Sequence, residues 1–190
     1  MNNDLMSADQ FRSGVSRRRV MVGGAIAGLA GTLGFSAVTK RAVQASSHGS
    51  DAANDAKILN GALFYEHQAI WAYSAAAGGL SDTDVGKAVL AIALANQTDH
   101  MVHRDVLSQV ITDLGGTPVM AEDSYDLSDY LERGDGGLDS DVNIAKLALA
   151  LETDAAIAYA NEVAMLKTPE LITAGATIAS AEAAHATTIR

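Results

Sequence analysis

The chain has 190 residues, 48% of them apolar, with two prolines, 5% aromatics and no cysteine. That size suits one domain with a real hydrophobic core, and the lack of cysteine excludes disulfides, thiolate metal sites and cysteine nucleophiles. Many alanines and leucines with few aromatics favour helices over a β-rich core, and a formal charge of −10 argues against nucleic acid as a partner.

Residues 1–45 read as a separate segment. The stretch SRRRVMVGGAIAGLAGTLGFSAV places Arg17, Arg18 and Arg19 before a weakly apolar run broken by glycines. Those glycines lower both hydrophobicity and helix propensity, which weakens the case for a stable membrane span. The small residues of VQA, ending at Ala45, suit a signal peptidase. The run SRRRVMV resembles the twin-arginine export signal, which implies a protein exported already folded to the periplasm or the extracellular space. The expected division is therefore a signal peptide over 1–45 and a bundle domain over 46–190, with an uncleaved amphipathic or membrane-anchoring N-terminus as the alternative. The first 45 residues hold six of the 13 basic residues and two of the 23 acids, leaving 7 and 21, a formal charge of −14. Such a surface repels phosphate backbones and anionic lipid, so metal cations are the expected partners, with no nucleic acid and no membrane beyond the signal segment. Homo-oligomerisation is left open.

Four long helices are expected beyond the signal. The first runs from about Asn54 to Gly79 and the second from the acids near Ser81 to the Gly115–Gly116 pair. Only a short turn separates them, so they pack antiparallel. Residues 116–139 hold Pro118, Gly134, Gly136 and Gly137, with YDLSDYLER forming a short helical turn in a crossover long enough to span the bundle. The third helix starts at Ser140 or Asp141. The fourth starts with Thr168 as N-cap, Pro169 at its first position and Glu170 in its first turn. Helix pair, long crossover, helix pair is the order of an all-α, ferritin-like four-helix bundle.

Stepping by three and four along each helix exposes an anomaly on the inward stripes. The second helix reads Val89, Ala93, Asn96, His100, His103, Leu107, Val110, and the fourth reads Leu171, Gly175, Ile178, Glu182, His185, Ile189. The first offers Leu59, Leu63, Glu66, Ile70, Tyr73, and the third Ala148, Glu152, Ala155, Tyr159, Glu162, Leu166. A buried, unpaired carboxylate costs several kcal/mol, roughly, so several at one depth need a common partner. A divalent cation supplies one, and the candidate ligands are Glu66, His100, His103, Glu152, Glu182 and His185. Taken singly, each is explained as well by ordinary core pairing, Glu66 with Arg104 or Lys87 for example. Tyr73 and Tyr159, on the inward stripes, are candidate hydrogen-bond donors to the ligands, with aromatic core packing the favoured reading, and His67, about 100° from Glu66, is expected as a surface residue.

With those residues in place, the sequence resembles the ferritin-like di-iron carboxylate superfamily, in which two helices give a Glu each and two give Glu-x-x-His. EHQAIWAYSAAAGGL, HRDVL and LALALETDAAIAYANEV also resemble an exported ferritin-like domain family of unknown function. The resemblance covers residues 54–190 and implies Glu66 and Glu152 as terminal carboxylates, Glu182 as a bridging carboxylate, and His103 and His185 as the imidazoles. It departs at His100, which stands where the superfamily has its second bridging Glu. Imidazole cannot bridge two metals as carboxylate does, so one ion, or a mixed pair, becomes a serious option, and Asp99 is the candidate substitute bridge. The expected function is binding of iron or manganese in metal handling or oxidant defence, with weak ferroxidase-type activity as its enzymatic extension. A metal-free bundle serving as a structural or interaction module is the alternative.

Overall fold

The computed structural model describes residues 49–190, so the signal peptide expected over 1–45 lies outside the described residues. The helices are α1 (Gly49–Ala77), α2 (Asp84–Asp113), α3 (Ser128–Arg133), α4 (Asp141–Val163) and α5 (Pro169–Ile189), with no strand among the described residues. Helix α1 packs chiefly on α2 and α4 on α5, and the two pairs meet along the α1–α4 and α2–α5 seams. The long connection from α2 to α4, carrying α3, crosses the bundle as expected. None of these helices is long and apolar enough to cross a membrane.

The helix starts follow from local chemistry. The Thr83 hydroxyl accepts from the Gly86 N–H at 3.1 Å and Ser140 from the Asn143 N–H at 3.3 Å, so each side chain satisfies an orphan donor of the first turn. The Asp141 carboxylate accepts from the Ser81 amide (2.8 Å) and hydroxyl (2.6 Å), tying the start of α4 to the turn before α2. Helix α1 begins five residues before the expected Asn54. Thr168 precedes Pro169 as expected, but its side chain makes no cap bond. Instead the fully buried Asp55 of α1 accepts from the Lys167 N–H (2.8 Å) and the Thr168 N–H (3.0 Å), a charge-assisted clasp on the α4–α5 turn.

The core has two apolar parts. One comprises Leu59, Leu63, Leu107, Val110, Ile111, Leu171 and Ile178; the other is a smaller cluster of Ala72, Leu127 and Leu147. Burying each leucine or isoleucine stabilises the fold by about 1.5–3 kcal/mol. Helix α5 approaches α4 closely at Gly175, where a Cβ would meet the Val163 side chain at 2.6 Å. Between the two apolar parts, each long helix turns polar groups inward.

Candidate metal centre

The structure brings all six expected ligands into one buried layer: Glu66 from α1, His100 and His103 from α2, Glu152 from α4, and Glu182 and His185 from α5. They form two overlapping quartets, Glu66–His100–His103–Glu182 and His100–Glu152–Glu182–His185, each with ligand atoms within 4.8 Å of one another. His100 lies at the centre. Its Nδ1 is 2.7 Å from Glu66 Oε2, and its Nε2 is 3.2 Å from Glu152 Oε1 and 3.8 Å from Glu182 Oε2. His103 Nδ1 is 3.1 Å from Glu182 Oε1 and 3.6 Å from Glu66 Oε1. His185 Nδ1 is 3.3 Å from Glu182 Oε2 and 3.4 Å from Glu152 Oε2. Arg104 and Lys87 turn instead to Asp105 and Asp82, so neither neutralises Glu66.

Burial disfavours charge on Glu66, Glu152 and the three histidines, and pairing overrides it. Burial pushes Glu66 up, but His100 and His103 hold it at about 2. Glu152, also opposed by burial, is held well below the usual carboxylate range by His100 and His185. Burial pushes His103 down, yet the close Glu182 and Glu66 carboxylates lift it to about 9. His185, likewise disfavoured by burial, is lifted to about 11 by Asp99, Glu152 and Glu182. His100 goes the same way under Glu182 and Glu66. Without a metal, these shifts favour Glu66 and Glu152 as carboxylates and the three histidines as imidazolium ions.

That array is not self-sufficient. Buried His103 Nδ1, Glu152 Oε2 and Glu182 Oε1 each lack a hydrogen-bond partner. The close approach of His103 Nδ1 to Glu182 Oε1 has the distance of a hydrogen bond but not its alignment. An unsatisfied buried polar atom costs about 1–3 kcal/mol. Three of them among convergent oxygen and nitrogen donors fit a hard or borderline divalent cation.

The surrounding residues bear on the carboxylates more than sequence reasoning expected. Tyr73 of α1 donates to Glu152 of α4, and Tyr159 of α4 donates to Glu66 of α1. Each tyrosine lies seven residues beyond the Glu of its own helix and serves the Glu of the other. Burial, then the neighbouring carboxylate, pushes both phenols well above their usual range, so they remain donors. Asn96 donates to the Tyr73 hydroxyl at 3.0 Å and to Glu152 Oε1 at 3.4 Å. Its place on the apolar stripe of α2 was the signal for that role. Asp99 belongs to neither quartet: it meets His185 Nε2 at 3.2 Å, leaving Nδ1 toward the layer, and so orients an imidazole rather than supplying a bridge. His67 is half-buried, not a surface residue, and its Nε2 lies 3.2 Å from the Val119 carbonyl of the crossover. Glu162 also falls outside both quartets; burial raises its carboxyl to about 7.

A ferritin-like domain model matches residues 54–190, the span that contains all four long helices apart from the first residues of α1. The chain belongs to the ferritin-like domain family. The ferritin-like bundle is also similar in fold to the crystal structure of a conserved hypothetical protein, rv2844, from Mycobacterium tuberculosis, with a TM-score of 0.62 and 24% identity. That likeness covers 73% of this chain and 89% of the other. No curated protein matches the chain. The polar layer of this bundle sets three carboxylates against three imidazoles, with His100 common to both quartets.

Proposed function

We propose that this ferritin-like bundle is an exported protein that binds iron or manganese in its polar layer and acts in metal handling or oxidant defence. The observation that carries the reading is the pair of overlapping buried quartets with three unpartnered donor atoms among them. Glu66, His103 and Glu182 would hold an ion on one side of His100, and Glu152, Glu182 and His185 on the other. Charge favours one ion: a divalent cation and one imidazolium neutralise three carboxylates, whereas two divalent cations overcompensate them. An iron or manganese ion so held supplies redox chemistry when bound. Tyr73 and Tyr159 orient Glu152 and Glu66, and Asp99 fixes the ring of His185. Weak ferroxidase-type activity is the enzymatic extension of this reading, and export rests on the sequence of residues 1–45.

One observation favours a second reading, a metal-free structural or interaction module. His100 spans Glu66 and Glu152 with both ring nitrogens, so a protonated imidazole supplies an internal cation in the middle of the layer. Elemental analysis of protein purified from its native compartment separates the two. Near-stoichiometric iron or manganese is expected, and a protein without transition metal there would leave the metal-free module. Intact mass of the same sample tests export, with the mature chain expected to begin near Ser46.

A further inference from the structure

We propose that a cavity between α1 and α4 binds a small neutral aromatic molecule with one hydrogen-bonding substituent, a phenol in chemical class. The cavity has a volume of about 210 Å³ and lies beside the polar layer, with Tyr73, His100 and Glu152 in its wall. It exists because the facing positions are small: Ala69 and Ala72 on α1 stand with Ala148 and Ala155 on α4, where larger apolar side chains would close the seam. An engineered apolar cavity of about 150 Å³ takes up benzene, so this one has room for a six-membered ring with a substituent.

The wall chemistry selects against an anion. Glu152 Oε1 accepts from Tyr73 and Asn96 and meets His100, and His185 Nδ1 lies 3.4 Å from Oε2. Asp154 is engaged by Arg133 of α3 at 3.2 Å, and the same guanidinium lies 4.7 Å from the ring centre of Tyr130, which also lines the cavity. An anion would lose its hydration against two wall carboxylates, Glu152 and Asp154, without gaining a free counter-charge. The rings of Tyr73 and Tyr130 offer aromatic contact, and the Gln68 amide offers both a donor and an acceptor for a hydroxyl. His100 and Glu152 are shared with the polar layer, so binding is read with and without metal to keep this site distinct from the metal reading.

Phenol titrated calorimetrically into the purified chain, with and without manganese, is expected to bind saturably at one per chain in both conditions. Ala155→Phe, which puts a ring into the cavity, is expected to weaken binding at least ten-fold. Ala148→Leu is expected to act in the same direction and serves if the first variant fails to fold, as judged by its helical circular dichroism. Benzoate is expected to bind at least ten-fold more weakly than phenol. No saturable phenol binding to the folded parent, phenol binding unchanged in the folded cavity-filling variants, or benzoate binding as tight as phenol would each overturn the assignment. Phenol binding retained in a chain that takes up neither manganese nor iron would support the cavity while ending the metal reading alone.

Discussion

Helices α2 and α5 offer the polar layer the same ladder of positions and fill it differently. On α5 the rungs are Ile178, Glu182 and His185; on α2, at identical spacing, they are Asn96, His100 and His103. Ala181 on α5 corresponds to Asp99 on α2, whereas α1 and α4 are alike, each with a Glu followed seven residues later by a Tyr. The departures from two-fold likeness at these positions therefore all lie on α2. The polar groups peculiar to α2 find partners within the protein: Asn96 on Tyr73, Asp99 on His185, and His100 on Glu66 and Glu152. On α5, Glu182 keeps an unpartnered oxygen. Both sides thus keep an unpartnered atom, His103 Nδ1 on α2 and Glu182 Oε1 on α5.

Making the two ladders alike at one rung should have the largest effect. His100→Glu is expected to cost the metal-free protein about 3–5 kcal/mol, the scale for an uncompensated buried charge. Ferrous iron should restore that stability and raise iron per chain toward two. Melting temperatures with and without ferrous iron, together with an iron assay, check this; destabilisation that iron cannot rescue, in a protein whose parent binds no metal, sinks the metal-site reading. At the rung the helices share, His103→Ala and His185→Ala should each weaken manganese binding by about 100-fold or more, beyond the usual loss for a supporting residue. His67→Ala should leave that affinity unchanged and cost about 1 kcal/mol of stability through its lost bond to Val119. Calorimetric titration and denaturant melts on all three variants test the contrast.

The tyrosines sharpen the comparison on a smaller scale. Tyr159→Phe should lower metal affinity by about ten-fold. Tyr73→Phe should lower it less, because Asn96 remains on Glu152. Equal losses in the two variants would show that Asn96 does not compensate.

The smallest expected effect is on pH dependence. In the metal-free protein, His103 at about 9 and His185 at about 11 lie above their ordinary 6.5. Their stabilising contribution is complete below pH 6.5 and is lost as pH rises through 9 and then 11. Glu66, at about 2 against an ordinary 4.5, contributes fully above pH 4.5 and loses its contribution as pH falls through 2. Metal-free stability attributable to these groups should therefore peak between pH 4.5 and 6.5 and decline from 6.5 upward, through 9 toward 11. Metal binding requires deprotonated imidazoles, so added manganese should stabilise more as pH rises. Melting curves across that range, with and without manganese, read both slopes; a rise in metal-free stability above pH 9 would contradict the ion-pair account.

The bundle was legible because helix period, caps and glycine stops agreed along the chain, and the convergence of the six candidate ligands was legible because polar residues interrupted otherwise apolar stripes. The supporting bonds were not. A tyrosine on an inward stripe looks the same whether its hydroxyl meets a carboxylate or a cavity, and only the register of α1 against α4 distinguishes them. Asp99 is a similar case: its sequence position suggested a rotation of α2, whereas the approach of α5 provides His185 as its partner. The early start of α1 was hidden by a small, polar opening turn, GSDAA, which carries no apolar period.

The clasp of Asp55 on the Lys167 and Thr168 amides spans 112 and 113 residues of sequence. Its consequence lies in folding order. Joining points so far apart in the chain incurs a large loop-closure cost before any contact can offset it, although that cost grows only logarithmically with length. Helices α1 and α2 can meet early through their short turn, as can α4 and α5, and each hairpin alone carries three of the six candidate ligands: Glu66, His100 and His103 in one, Glu152, Glu182 and His185 in the other. Neither hairpin contains a complete quartet. Assembly of the layer is thus tied to the late docking of one hairpin on the other, and Asp55 helps hold that long-range junction closed.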